Sequence, residues 1–263
     1  MRKLNLFFLF LVFIAYPILF WNRMNVVNVN VISLAPNWSY LGGTDSLGRD
    51  YLLRCIQGTY LSVLISLFSM MLAHLLGFII GSLSVLKVFR VSVWLPRCID
   101  LLDALPSYLV VSVLALFWQS LFRNMDLIIK SIFSLILSIS LVSWMSIARI
   151  VRLEILQILE KEFILSSKLL GASFYDLIQT HFFKFTINFL KTSVIQHLPH
   201  FILLESFLSY LGIGIIPPYL SLGGLISEGW KLAFIKPLLF LVPSFFLVLI
   251  SVEFKRILRS LKG

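Results

Sequence analysis

Six stretches of this chain are about twenty residues long and nearly free of charge: Leu4–Trp21, Tyr60–Leu86, Ala104–Phe122, Ser131–Ala148, about Thr192–Leu211 and about Leu232–Val252. Uncharged apolar runs of about 18 residues or more are long enough to cross a bilayer. Inside hydrocarbon every backbone N–H and C=O must be satisfied within the protein, which leaves helices or closed barrels. Runs of this length, with no alternation of polar and apolar positions, select helices. The prediction is an all-α polytopic membrane protein, a bundle of six transmembrane helices with no separate soluble domain. Composition agrees: 59% of the 263 residues are hydrophobic and 13% charged, with a mean hydropathy of +0.98.

Charge then orients the bundle. The net charge of +10 could suggest a nucleic-acid partner, but the 22 Lys and Arg residues flank apolar runs, the pattern that orients membrane proteins. Fifteen of the 22 fall on one side, in the amino-terminal start, the segment 87–103, the segment 149–191 and the carboxy-terminal tail, leaving 7 on the other. Basic residues collect on the cytoplasmic side, so both termini are expected there. Met1-Arg2-Lys3 followed by Leu4–Trp21 resembles a signal peptide, yet no small-x-small cleavage site follows, so a retained first span is expected. The two cysteines, Cys55 and Cys98, fall on opposite sides in this topology and have no metal-ligand spacing.

The long polar interruption is the cytoplasmic segment from Arg149 to Lys184. It is too charged for hydrocarbon, yet Phe163, Leu170, Phe174, Leu177 and Ile178 recur at roughly helical spacing. Gly171 can take the left-handed conformation that ends a helix, and Ser173 with Asp176 forms a Ser-x-x-Asp cap that starts another. The prediction is two short helices at the membrane surface, the second presenting Phe174, Leu177 and Ile178 on one face. Such a face either docks into a partner's groove or rests on lipid headgroups.

Other polar residues have narrower readings. Gly43-Thr44-Asp45-Ser46-Leu47-Gly48-Arg49-Asp50 superficially resembles a phosphate-binding loop, but Arg49 stands where lysine belongs and Asp50 where the magnesium-binding hydroxyl belongs. A carboxylate there repels phosphate, so ATP is not expected to bind. Gly77 and Gly81, four apart, permit a close helix approach. Glu205 lies inside the fifth span and should face the bundle interior, pair with another group or be protonated, with interhelical hydrogen bonding the favoured role. His74 reads as an inward hydrogen-bonding group. His197 and His200 share a helix face but read as no metal site, and Asp100 and Asp103 beside Arg97 form a pairing network at the membrane edge. No arrangement supports nucleophilic catalysis, so no catalytic residues are assigned.

Five groups of residues together carry a resemblance along nearly the whole chain. They are Gly43 to Asp50; Arg97-Cys98-Ile99-Asp100 with Ala104-Leu105-Pro106-Ser107; Trp144 with Ala148-Arg149-Ile150-Val151-Arg152; Glu162 with Gly171-Ala172-Ser173; and Glu205 with Leu208-Ser209-Tyr210-Leu211-Gly212-Ile213-Gly214 and Pro218. In their order and spacing the chain is similar to the inner-membrane permease subunits of peptide and nickel ATP-binding-cassette importers.

That resemblance implies the type I importer permease fold and a bacterial inner-membrane location. It implies a second homologous permease subunit, two ATPase subunits that bind the ATP, and an extracytoplasmic substrate-binding protein. This chain itself is expected to need no cofactor. Residues 1–58 would hold the first span and the outer loop, and 59–263 the membrane domain, with the coupling loop at about 149–184. The resemblance makes Glu162, Ser166, Ser167, Gly171, Ala172, Ser173, Phe174, Asp176, Leu177 and Ile178 the ATPase-coupling element. Asp100, Arg149, Arg152 and Glu205 become pathway or structural polar residues, and Gly43, Thr44, Asp45, Gly48, Arg49 and Asp50 an outer-loop motif. The sequence departs from the family with Leu165-Ser166-Ser167 in place of Glu-Ala-Ala, with Leu222 where tryptophan is usual, and with a tail lacking Gly-Asp. The competing class is a secondary transporter coupled to protons through Glu205 and His74.

Overall fold

The computed structural model describes residues 26–85, 97, 99–100, 105–162, 164, 166 and 183–262, and for 183–192, 194–195 and 257–262 the backbone alone. Among these residues six α-helices follow one another: α1 (Tyr51–Leu83), α2 (Ser107–Leu121), α3 (Leu127–Leu159), α4 (Phe183–Tyr210), α5 (Leu222–Lys231) and α6 (Leu238–Lys262). A single 3-10 turn at Val29–Val31 precedes them, and an isolated bridge joins Thr44 to Asp50. Three of these helices are long and apolar enough to cross a membrane: α1, α3 and the Leu238–Arg256 part of α6. The expected first span, Leu4–Trp21, lies outside the described residues.

Several expected boundaries are corrected. The fourth apolar run was expected to end at Ala148, but α3 continues unbroken to Leu159. Residues 149–159 contain neither glycine nor proline and consist mostly of Leu, Ile and Arg, so hydropathy falls there while helix propensity does not. At 1.5 Å per residue, 33 residues span about 50 Å, against a hydrocarbon layer of about 30 Å. The outer polar segment ends at Asp50, not Gly58, because the Asp50 carboxylate caps α1 by accepting from Leu52 N at 3.0 Å and Leu53 N at 3.2 Å. The segment 212–231, between the fifth and sixth apolar runs, contains α5. The third helix begins at Ser107 rather than Ala104, the fifth run at Phe183 rather than Thr192, and the last at Leu238, directly after Pro237.

The interior of the bundle is built from small and hydroxylated residues as much as from aliphatic ones. Ile65, Leu135, Ile139, Phe201 and Ile202 form its apolar centre. Ser62, Ser66, Ser69, Ser131, Ser134 and Ser138 are buried beside them. Ser69 Oγ donates to Ile65 O at 2.8 Å, Ser134 Oγ to Lys130 O at 2.7 Å and Ser138 Oγ to Ser134 O at 2.6 Å. The hydroxyls of Ser69, Ser134 and Ser138 are thus satisfied by their own helices, leaving a flat surface that a neighbour can approach.

Gly77 and Gly81 exploit that flatness at the α1–α3 crossing, where a Cβ on Gly77 would stand 2.7 Å from Ile147 Cγ2. One on Gly81 would stand 2.7 Å from the Ala148 carbonyl oxygen. The opposite face of α1 exposes Phe68, Met71, Leu75, Ile79 and Leu83 at spacings of three and four residues. The helix is therefore turned so that its bulky apolar side chains point outward, as a lipid-facing helix requires.

Candidate functional site

Outside the α1 amino terminus, the 43–50 segment folds into a closed knot. Gly43 and Gly48 both take φ of +71°, and at Gly48 a Cβ would collide with the carbonyl oxygen of Asn28, so glycine is required there. Asp45 Oδ1 accepts from Leu47 N at 2.8 Å and Arg49 N at 2.9 Å. Its Oδ2 meets Arg49 Nε and Arg54 Nη1, both at 2.7 Å. Arg54, inside the first turn of α1, reaches on to Glu228 Oε2 of α5 at 3.2 Å. Asp45, Arg49 and Arg54 are all buried. The motif's charge is consumed internally, so the segment pins the outer loop to α1 and α5. Tyr51 adds a second tie, its hydroxyl donating to the carbonyl of Leu239 next to the start of α6.

Below this knot, α1, α4 and α5 converge on Glu205, which is wholly buried. Its carboxyl accepts from Ser209 Oγ at 2.8 Å and Ser206 Oγ at 3.3 Å, and Ser62 and Ser221 flank it. Ser62 Oγ in turn accepts from Leu222 N at 3.1 Å, satisfying an otherwise orphaned amide at the start of α5. Gly223 has no room for a Cβ against the Ser206 carbonyl. The expectation that Glu205 faces the interior is met, and hydroxyls rather than a cation surround it.

The histidines form a separate group. His74 Nδ1 lies 2.9 Å from Met70 O, and its Nε2 lies 3.1 Å from Ser193 Oγ. Ser193 Oγ is 3.2 Å from His197 Nδ1, which also meets Ser193 O at 2.8 Å. His197 and His200 line a cavity of about 510 Å³ between α2, α3 and α4, walled also by Tyr108, Val142, Ser143 and Phe201. Among the described residues no three metal-ligating side chains come together.

At the far end of α3, Arg149 Nη2 pairs with Asp100 Oδ1 at 2.7 Å. Asp100 thus reaches across to α3, while Asp103 lies outside the described residues. Arg152 is half-buried one turn on. The helix breaks at Glu160, and the chain resumes helical backbone at Glu162, where Ser166 Oγ donates to Glu162 O at 2.9 Å. Glu162 and Ser166 are exposed, whereas Ile164 between them is fully buried in the same core as Ile155 and Ile158. Ser167, Gly171, Ala172, Ser173, Phe174, Asp176, Leu177 and Ile178 lie outside the described residues.

Residues 73–261, most of the chain, match the family described as the inner membrane component of binding-protein-dependent transport systems. The chain belongs to that family. Among its relatives, the oligopeptide transport system permease protein of Bacillus subtilis is 31% identical over 222 residues, covering 81% of this chain and 68% of the relative. The dipeptide transport system permease protein of the same organism is 30% identical over 258 residues, covering 95% and 75%. A protein named for peptide permease activity in Brucella suis is 30% identical over 238 residues, covering 90% and 76%.

As an importer permease the chain is a transport subunit rather than an enzyme, and ATP hydrolysis belongs to separate subunits. The permease sits in the inner membrane. Sequence reasoning missed three of its arrangements: the extension of the Asp45 knot to Arg54 and Glu228, the Tyr51 tie to Leu239, and the cavity. Arg54 carried a usable signal. It lies one helical turn after the capping Asp50, where an inward-facing cation needs a buried anion.

Proposed function

We propose that this permease forms half of the translocation pathway of an ATP-driven peptide importer. It pairs with a second homologous permease subunit and with two ATPase subunits, and an extracytoplasmic binding protein delivers peptide to the outer loops. Six spans, with both termini in the cytoplasm, make the bundle. The relatives named for oligopeptide and dipeptide transport support peptide as the substrate, and the bias of basic residues supports the orientation. The 1–58 segment, with the first span and the outer loop, and the 59–263 membrane domain form one bundle, joined through α1 (Tyr51–Leu83), which runs across their boundary.

The observation that carries the mechanism is the continuity of α3. One unbroken helix runs from Leu127 to Leu159, and the proposed orientation sets Leu127 on the outer side and Leu159 in the cytoplasm. The helical segment that begins at Glu162 is held to its end by the buried Ile164. Closing of the ATPases on the segment from Glu162 through Ser166, Ser167 and Gly171 to Ile178 would move α3 as a lever. Arg149, Arg152, Asp100 and Glu205 then hold the alternative packings between which the pathway switches.

A cysteine at Phe174, crosslinked in the assembled complex, tests this. A disulfide to an ATPase cleft cysteine is expected, and its absence throughout the ATP cycle would remove the coupling mechanism. Vesicle uptake that needs ATP and survives collapse of the proton gradient separates this reading from proton-coupled transport.

A further inference from the structure

The cavity between α2, α3 and α4 is not needed for the lever or for the outer knot, yet it is well formed. Its volume of about 510 Å³ falls in the range of small-ligand sites, roughly 300–1,000 Å³. Phe201, Leu204 and Val142 supply apolar wall, while Ser143 and Ser146 supply hydroxyls. Among the described residues no Lys, Arg, Asp or Glu lines it. A group with a fixed charge would lose its water there and meet no counter-ion, so the cavity suits an uncharged group.

The histidine chain sets the polarity of the wall. A backbone carbonyl can only accept, so the contacts to Met70 O and Ser193 O place the proton on Nδ1 of both His74 and His197. In the neutral ring that leaves Nε2 as an acceptor. His74 Nε2 takes the Ser193 hydroxyl proton, which turns the Ser193 lone pairs toward His197 Nδ1 at 3.2 Å. His197 Nε2 has no hydrogen-bond partner among the described residues. The His74–Ser193 pair thus acts as a positioning unit. It fixes the ring of His197, one of the polar groups of the cavity wall beside His200, Ser143 and Ser146, with Nε2 left to accept.

We propose that this cavity is a substrate subsite for a backbone amide of the transported peptide, with His197 Nε2 accepting its N–H. An acceptor in an apolar wall selects N–H donors, and the amide is the uncharged donor every peptide carries whatever its side chains. The proposal rests on the peptide reading above and deepens it.

The test is uptake by the complete transporter in proteoliposomes, with its binding protein and ATP, of a tripeptide and of the same tripeptide N-methylated at its internal amides. The ratio of the two rates, within each variant, is the readout. Discrimination by the binding protein is common to all variants and cancels. One hydrogen bond is worth up to about tenfold, so the ratio should fall by roughly five- to tenfold in His197→Ala. It should stay within about twofold of wild type in His197→Gln, whose side-chain oxygen restores an acceptor.

Ser143→Leu, which fills the cavity from α3, should lower the ratio as His197→Ala does and serves where the latter does not assemble. Equal ratios in wild type, His197→Ala and Ser143→Leu would overturn the subsite while leaving peptide transport intact. A wild-type complex that carries no peptide at all would sink both. Stoichiometric binding of Ni²⁺ alone to the purified complex, lost in His197→Ala, would overturn the amide assignment in favour of a metal ligand.

Discussion

Asp45→Asn should be the most damaging single-atom change outside the membrane core. The substitution keeps Oδ1, so the turn that accepts from Leu47 N and Arg49 N survives. It removes the negative charge from Oδ2, which meets two guanidiniums at 2.7 Å. The side chains of Asp45, Arg49 and Arg54 are 6%, 8% and 3% exposed, so water does not replace the lost partner. Breaking a buried pair by removing one member costs about 3–5 kcal/mol.

Arg54 keeps Glu228 at 3.2 Å, which places the expected loss near the lower figure. At 2–4 °C per kcal/mol for a chain of this size, the midpoint of thermal unfolding in detergent should fall by about 6–12 °C. Glu228→Gln, at a carboxylate whose side chain is 46% exposed, should shift it by about 2 °C or less. Combining Asp45→Asn with Arg49→Gln should recover part of the loss, since one stranded cation is then gone. A midpoint for Asp45→Asn no lower than that of Glu228→Gln would refute the claim that the motif is held by buried charge.

Two further outcomes bear on the bundle. Gly81→Ala puts a methyl 2.7 Å from the Ala148 carbonyl and 3.0 Å from Val151 Cβ, forcing α1 and α3 apart. Such overpacking costs about 1–3 kcal/mol, read as a drop of several degrees in the unfolding midpoint, whereas Ser66→Ala, which deletes a buried hydroxyl without a partner, should be neutral or stabilising. Glu205→Gln keeps one acceptor oxygen for Ser209 and presents its amide N–H to Ser206 Oγ, which can turn to accept, and should leave the midpoint within about 1 kcal/mol of wild type. Glu205→Leu strands those hydroxyls and should cost about 1–3 kcal/mol by the same measurement.

Much of this permease was legible before any coordinates. Apolar runs announce helices in a bilayer because hydrocarbon leaves the backbone no other partner, and α1, α3 and α6 stand where those runs lie. The ordered motifs carried the family, and the interior placement of Glu205 followed from the cost of a carboxylate in lipid. Hydropathy could not locate the ends of α3, since a helix stops where its backbone is broken or capped rather than where its side chains become polar. The glycine-rich stretch after Gly212 likewise concealed α5, whose Gly223 and Gly229 are there because Ser206 and Leu239 pass too close for a Cβ.

What the sequence by itself determined, then, is local: which segments must be helical, and which residue types stand at the motif positions. The tertiary structure alone decided which of those residues meet. Asp45 and Glu228 are far apart along the chain yet share Arg54, and His74 of α1 meets His197 of α4 edge-to-face and through Ser193. Pairings of this kind depend on how whole helices pack, and side-chain spacing along one chain carries no record of the distance between two.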